Sequence, residues 1–138
     1  MHNAYTTDDV RDRLRSAGIA ATVQRLAVTQ FVLTTRSHPT AKEVLEEVRA
    51  HAPTVSQATV YNTLNKLVEA GLVVALRGGH DDSVRYDGNT EPHHHLLDAA
   101  SNRPIDIPFD DIEIGNIDEL QRKYQIERIT VTIEGQRR

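Results

Sequence analysis

The first seventy residues contain four segments in which apolar positions recur at helical spacing. Hydroxyl side chains stand where such helices begin, and Gly or Pro stands where they end. The first three expected helices run from Thr6 or Thr7 to about Ala17, from Thr22 to about Leu33, and from Thr40 to about His51. The apolar side of the second helix is expected at Val23, Leu26, Ala27, Phe31 and Val32. Glu43 lies three residues after Thr40, which predicts a capping box at the third helix.

The fourth segment, Ser56 to Gly71, combines a buried stripe with an unusual polar face. Ser56 suits an N-cap, and Gly71 suits the left-handed position just past a helix end. The expected buried residues are Val60, Leu64, Leu67 and Val68. The opposite face carries Gln57, Thr59, Tyr61, Asn62, Asn65 and Lys66. Neutral donors and acceptors near a helix N-terminus are typical of a helix that reads base edges, although a solvated face with one stray tyrosine has the same composition.

Two short segments typical of strands follow this helix and predict a hairpin. Leu72 to Leu76 and Val84 to Asp87 are the expected strands, joined by a tight loop. Helices followed by such a hairpin predict a winged helix-turn-helix over residues 1–87. The candidate DNA-binding residues are Arg25, Ser56, Gln57, Thr59, Tyr61, Asn62 and Lys66, with Tyr61 and Asn62 as base contacts and Arg25 and Lys66 as phosphate contacts.

Residues 88–92 are rich in turn-formers and predict a hinge before a second domain, 93–138. The elements expected there are a strand His93–Asp98, a strand Pro104–Phe109, a helix Ile117–Tyr124 and a strand Arg128–Glu134. The predicted class is therefore α+β, a winged helix-turn-helix followed by a small α/β dimerisation domain. About 45 residues make a small core, so we expect a homodimer that presents two reading helices to palindromic double-stranded operator DNA.

Composition excludes some classes of site. The 138 residues include no cysteine, which rules out disulfides and thiolate metal sites. No apolar run is long enough for a signal peptide or a membrane span, so we expect a cytoplasmic protein with no membrane partner. The net charge of −4 gives little support to nucleic-acid binding, but all of the acidic excess lies after residue 87.

The run of three histidines at 93–95 is the sharpest chemical signal. On a strand, His93 and His95 share one face, and two imidazoles at that spacing can bind one metal ion. A solvated histidine patch has the same pattern. Asp87 closes the last wing strand, Asp106 lies on the strand expected to pair with the histidines, and His38 lies on a loop between helices.

Three imidazoles and two carboxylates suit Fe²⁺, Mn²⁺ or Zn²⁺, and the hard oxygen ligands favour iron or manganese. The remaining histidines, His2, His51 and His80, lack such neighbours and are interpreted as surface residues.

Several motifs together resemble the ferric uptake regulator (Fur) superfamily. They are T-V-Q-R, H-P-T-A, S-Q-A-T-V-Y-N-T-L, R-Y-D, H-H-H and I-D-I, and the resemblance runs from about Gly18 to Gly135. It implies a dimeric, metal-sensing winged-helix repressor whose regulatory ligands are His38, Asp87, His93, His95 and Asp106. An aspartate as the last ligand is similar to the peroxide-responsive (PerR) branch, which implies ferrous iron and oxidation of His38 or His93 by peroxide.

Departures from the superfamily pattern limit what carries over. Most relatives hold a structural zinc with two C-x-x-C pairs, whereas this chain has Asp98 and Ser101 at the first pair and ends before the second. We therefore expect no structural zinc of the four-cysteine type, with Fe²⁺ or Mn²⁺ at the regulatory site and Zn²⁺ able to substitute in vitro. The cysteine-free body also resembles the iron response regulator (Irr) branch, so an iron- or haem-responsive regulator is the alternative. A mononuclear non-haem iron enzyme and a metal-independent winged-helix protein are the remaining alternatives.

Overall fold

A computed structural model describes residues 5–77 and 83–138. The chain divides into two compact units, Met1–Thr90 and Glu91–Arg138. The first contains α1 (Thr7–Ser16), α2 (Val23–Thr34), α3 (Ala41–His51), α4 (Gln57–Glu69), β1 (Val74–Arg77) and β2 (Val84–Asp87). The second contains β3 (His93–Asp98), β4 (Arg103–Pro108), a 3₁₀ turn (Phe109–Asp111), α5 (Ile117–Lys123) and β5 (Thr132–Gly135). The predicted α+β class is confirmed.

The four helices of the first unit begin where their hydroxyl caps predict. In each case the side-chain oxygen accepts a hydrogen bond from the amide three residues later. The caps are Thr6, Thr22, Thr40 and Ser56. At α1 and α3, the carboxylate of the acidic residue at the third helical position accepts a hydrogen bond from the backbone amide of the cap residue. This second bond completes a capping box.

The helices enclose one apolar core. Its fully buried members include Val10, Leu14, Val28, Val32, Val44, Val60, Leu64 and Leu67. Val60, Leu64 and Leu67 belong to the stripe predicted for α4, while Val68 is partly buried against the core. The expectation for Val23 is wrong, because this residue is 81% exposed. The side of α2 that faces the core is centred on Val28, Thr29, Val32 and Leu33.

Strands β1 and β2 pair antiparallel, with Val74 opposite Asp87 and Arg77 opposite Val84. The first strand begins two residues later than predicted, because the end of α4 uses the preceding segment. The Gly71 amide donates to the Val68 carbonyl and the Leu72 amide to the Leu67 carbonyl, a Schellman ending. Residues 78–82 of the predicted loop lie outside the described residues, as do His2 and His80.

The second unit is a three-stranded sheet in the order β4-β3-β5. Strand β3 pairs antiparallel with β4 and parallel with β5, and α5 lies in the connection between β4 and β5. Several predicted bounds are wrong, most of them by one residue. The last strand begins at Thr132 rather than Arg128, and Phe109 starts the 3₁₀ turn instead of ending β4. Among the described helices, none is long and apolar enough to cross a membrane.

Candidate metal centre

In the first unit, His38 and Asp87 form a buried pair. The Nε2 atom of His38 lies 3.3 Å from Oδ2 of Asp87, and both side chains are almost completely buried. His38 has a φ of +50°, in the left-handed region that non-glycine residues seldom adopt. Such backbone conformations persist where the surrounding structure holds them, and they cluster at functional sites.

The Asp87 carboxylate is held by the residues that follow it. Its Oδ1 accepts a hydrogen bond of 2.9 Å from the Asn89 amide, which leaves Oδ2 toward His38. Gly88, between Asp87 and Asn89 in the chain, packs directly on the backbone of α2. A Cβ atom at this position would lie 2.5 Å from the Val32 carbonyl oxygen, so only glycine fits.

Arg85, two residues before Asp87, contacts the loop that carries His38. Its Nη1 donates to the carbonyl oxygen of His38 and to Oε1 of Glu43, each at 3.1 Å. Sequence reasoning missed both Arg85 and Gly88, because their partners are distant in the chain.

In the second unit, the strand register brings His93, His95 and Asp106 together. Asp106 is the direct cross-strand partner of His95, and His93 lies on the same face two residues away. Oδ1 of Asp106 is 3.4 Å from Nε2 of each histidine, and the two Nε2 atoms are 3.0 Å apart. The expected pairing of the histidine strand with the Asp106 strand is therefore present.

One contact orients the ring of His93. Its Nδ1 lies 2.6 Å from the Glu91 carbonyl oxygen, which can only accept a hydrogen bond. Nδ1 therefore donates in this contact, and Nε2 is the nitrogen that faces His95 and Asp106. A carbonyl bound to the remote ring nitrogen is the usual way to orient an imidazole for a metal ion.

The spacing of the three donor atoms fits one shared ion. Ligands about 2.1 Å from a common metal and about 90–110° apart are separated by roughly 3.0–3.4 Å. The distances among His93, His95 and Asp106 fall in this range. The donor set of two imidazoles and a carboxylate also suits a divalent first-row metal.

His94 points away from this set and is fully buried. Its ring stacks on Phe109 with centroids 4.9 Å apart, and its Nδ1 accepts a 3.0 Å hydrogen bond from the Val131 amide. The Val131 carbonyl in turn accepts from the His95 amide at 3.1 Å. His94 is therefore a structural residue that holds the chain entering β5 against β3.

Asp98 and Ser101 close the β3–β4 turn with side-chain hydrogen bonds. Oδ2 of Asp98 accepts from the Ser101 hydroxyl at 2.8 Å and from the Ser101 amide at 3.2 Å. The hydroxyl bond is the main cause that lowers the pKa of the Asp98 carboxyl below its usual range. These hydrogen bonds stabilise the turn at the two positions that the resemblance aligns with the first C-x-x-C pair of other family members.

The predicted reading helix exposes a polar face. Gln57, Tyr61, Asn62 and Asn65 are exposed, whereas Thr59 and Lys66 are half-buried. Ser56 and Thr59 share a hydroxyl hydrogen bond of 2.9 Å at the start of the helix, and the Ser56 hydroxyl also accepts from the Thr59 amide at 3.0 Å. Arg25 lies in the first turn of α2, and its Nη1 donates to the Ala20 carbonyl at 3.2 Å.

The phenols of Tyr61 on α4 and Tyr86 on β2 differ in exposure. Tyr86 is buried on β2, and burial raises the pKa of its phenol, with a smaller contribution from Tyr61. Tyr61 itself is 41% exposed, and its hydroxyl can donate and accept hydrogen bonds.

A sequence model of the ferric uptake regulator family matches residues 16–135. The chain belongs to the ferric uptake regulator family. The peroxide-responsive repressor PerR of Staphylococcus epidermidis is 34% identical over 100 residues, a segment that covers 72% of this chain and 66% of that relative. The chain thus spans slightly less than two thirds of the length of this relative.

Solved structures of the family share the fold. The Helicobacter pylori ferric uptake regulator, whose structure is described as revealing three functional metal-binding sites, superposes with a TM-score of 0.77 at 22% identity. That match covers 100% of this chain and 95% of the other. The Campylobacter jejuni peroxide stress regulator gives 0.70 at 25% identity, with 97% of each chain covered. These relatives are named as repressors or regulators, so the expectation of a regulator rather than an enzyme is confirmed for the family.

Proposed function

We propose that this protein is a homodimeric, metal-dependent repressor that binds palindromic operator DNA and responds to peroxide. The observation that carries the proposal is the presence of one compact donor set in each unit. His38 and Asp87 form the set in the unit that contains α4, and His93, His95 and Asp106 form the other.

The two sets are complementary in number and chemistry. Together they supply three imidazole nitrogens and two carboxylate oxygens, whereas neither alone completes the coordination of a divalent first-row ion. We propose that one ion per subunit is shared by both sets, so that binding restrains the hinge expected at residues 88–92. Metal then favours one placement of the reading helices and shifts the population toward the DNA-binding form.

Exposed apolar side chains of the second unit support a homodimer. Phe109, Leu120, Tyr124 and Ile133 are each more than 40% exposed, while Leu97 is the single hydrophobic residue that the described part of this unit buries. A unit of this size with so small a core gains stability from a second copy. The two-fold symmetry of such a dimer matches a palindromic site.

The signal is assigned from the donor set and the relatives. The relative from Staphylococcus epidermidis is named a peroxide-responsive repressor, and Asp106 supplies an aspartate as the last ligand. Since the chain has no cysteine, thiol oxidation cannot be the sensor. Ferrous iron, when bound, would supply the redox chemistry that cleaves the O–O bond of peroxide. In the net reaction we expect, the His38 or His93 imidazole gives up two electrons, one peroxide oxygen joins a ring carbon in place of its hydrogen, and the other oxygen leaves as water. The oxidised side chain would then no longer hold the ion.

The test begins with protein purified without oxygen. Metal analysis should find one regulatory ion per subunit and no second, chelator-resistant zinc. Operator binding of the iron form should be lost after mild peroxide treatment, and mass spectrometry should find a gain of 16 Da, one oxygen atom, on the peptide that contains His38 or His93.

The manganese form is the matched control, because Mn²⁺ does not reduce peroxide readily. It should bind the operator before and after the same treatment, with both histidine peptides unmodified. An iron form that keeps its histidines and its DNA affinity would exclude peroxide sensing and favour the iron- or haem-responsive alternative.

A further inference from the structure

We infer that Arg85 is a positioning residue for metal binding, acting on His38 through its main chain. This role rests on the proposed metal function, and Arg85 itself is not one of the five candidate ligands. Arg85 is 9% exposed, and its guanidinium is therefore largely removed from water. A buried charge requires a partner, and Glu43 supplies one at 3.1 Å.

The same Nη1 atom reaches the carbonyl oxygen of His38 at 3.1 Å, a contact between residues 47 positions apart. His38 is held at a φ of +50°, a conformation that is unfavourable for most residues with a side chain. A charge-assisted hydrogen bond to its carbonyl fixes the orientation of the peptide plane that follows it. Because that backbone conformation directs the imidazole toward Asp87, Arg85 holds the ligand without touching its ring.

Main-chain contacts of β2 reinforce the same alignment. The Tyr86 amide donates to the Pro39 carbonyl at 2.9 Å, and Thr40 forms an isolated antiparallel bridge with Arg85. The segment 38–40 therefore runs beside β2, the strand that ends in Asp87. Arg85 occupies the centre of this short ladder, between the loop that supplies one ligand and the strand that supplies the other.

Glu43 connects the arrangement to helix α3. Its Oε1 accepts from the Thr40 amide and from Arg85, each at 3.1 Å, and its own amide donates to the Thr40 hydroxyl at 3.2 Å. The capping box of α3 thus shares an oxygen with the guanidinium that holds His38. Removal of the guanidinium takes this hydrogen bond away from the His38 carbonyl but leaves the two hydrogen bonds of the capping box, so the two functions can be separated by mutation.

The experiment measures Mn²⁺ affinity of the full-length protein by titration, with Mn²⁺ chosen because it is stable in air. Arg85→Met keeps the length and the apolar contacts of the side chain but removes both hydrogen bonds. We expect its Mn²⁺ affinity to fall by roughly 10-fold or more, the range found when groups that orient metal ligands are removed. Arg85→Lys retains the charge beside Glu43 but has no planar fork, so its affinity should lie between those of wild type and Arg85→Met.

Arg49→Met is the matched control. Arg49 also donates to a main-chain carbonyl of the same unit, that of Val55 at 3.1 Å, but this contact lies at the other end of α3. Arg49→Met should keep the wild-type Mn²⁺ affinity even where it lowers the melting temperature. An equal loss of affinity in Arg49→Met would show a general effect of destabilisation and overturn the assignment.

The remaining outcomes separate this role from the proposed function. A wild-type protein that binds no Mn²⁺ would overturn the metal function and the role of Arg85 together. Wild-type binding accompanied by unchanged affinity in Arg85→Met would overturn the role of Arg85 alone. If Arg85→Met does not fold, Arg85→Lys decides the matter, and wild-type affinity in that variant counts against the role.

Discussion

Gly88 offers a sharp test of how the Asp87 carboxylate is positioned, because replacement by alanine adds one methyl group against an immovable surface. An alanine Cβ would lie 2.5 Å from the Val32 carbonyl oxygen and 2.9 Å from the Leu33 Cα. Real Cβ atoms essentially never approach other atoms within 3.0 Å. Both neighbours are backbone atoms of α2, so no change of rotamer relieves the overlap, and residue 88 must move away from the helix.

The cost follows from overpacking. A methyl group forced into a well-packed interior typically destabilises a protein by about 1–3 kcal/mol. For a unit of this size, each kcal/mol lowers the melting temperature by about 4–8 °C. We therefore expect Gly88→Ala to melt roughly 5–20 °C below wild type. Because Asp87 is the preceding residue, its displacement should also weaken Mn²⁺ binding.

Differential scanning calorimetry and Mn²⁺ titration of the full-length protein check both expectations. Gly115→Ala is the control, since a Cβ atom there would meet nothing within 4 Å. That variant should be neutral or slightly more stable, because alanine restricts the unfolded chain. A Gly88→Ala protein that melts with wild type and binds Mn²⁺ equally well would refute the packing argument.

Three further predictions concern the reading helix, the ligands and the sheet. Asn62→Ala should weaken operator binding by about 1–3 kcal/mol and relax sequence preference. Lys66→Ala should weaken binding to all DNA sequences alike and flatten the salt dependence of binding. Fluorescence anisotropy measures both effects, and equal affinities of the wild-type protein for operator and random DNA would contradict this prediction. Asp106→Ala should lose metal-stimulated operator binding but keep the wild-type sedimentation coefficient, and dissociation into monomers would show that metal holds the dimer. His94→Leu removes the acceptor for the Val131 amide, which should cost about 1–3 kcal/mol of stability and speed hydrogen exchange at that amide; unchanged exchange would count against the bond.

Local signals account for the parts of the fold that sequence reasoning predicts well. A hydroxyl cap acts over three residues, so Thr40 and Ser56 predict the starts of their helices from the local sequence alone. The alternation of side chains along a strand likewise places His93 and His95 on one face. The prediction for Val23 fails for a related reason, since helical periodicity identifies an apolar side but the neighbouring helices decide which part of it is buried.

The supports of the site escape prediction because they act through the backbone. Ligand residues are recognisable by their side chains, whereas Arg85 is directed at a carbonyl oxygen 47 residues away and Gly88 at the backbone of α2. Such partners leave no local pattern, since any residue has a carbonyl oxygen. The consequence is physical as well as practical: a substitution that keeps all five candidate ligands can still lose metal binding, if it releases the backbone that orients them. When a variant keeps all five candidate ligands but loses its metal response, the cause should therefore be sought first at residues 85 and 88, on either side of Asp87.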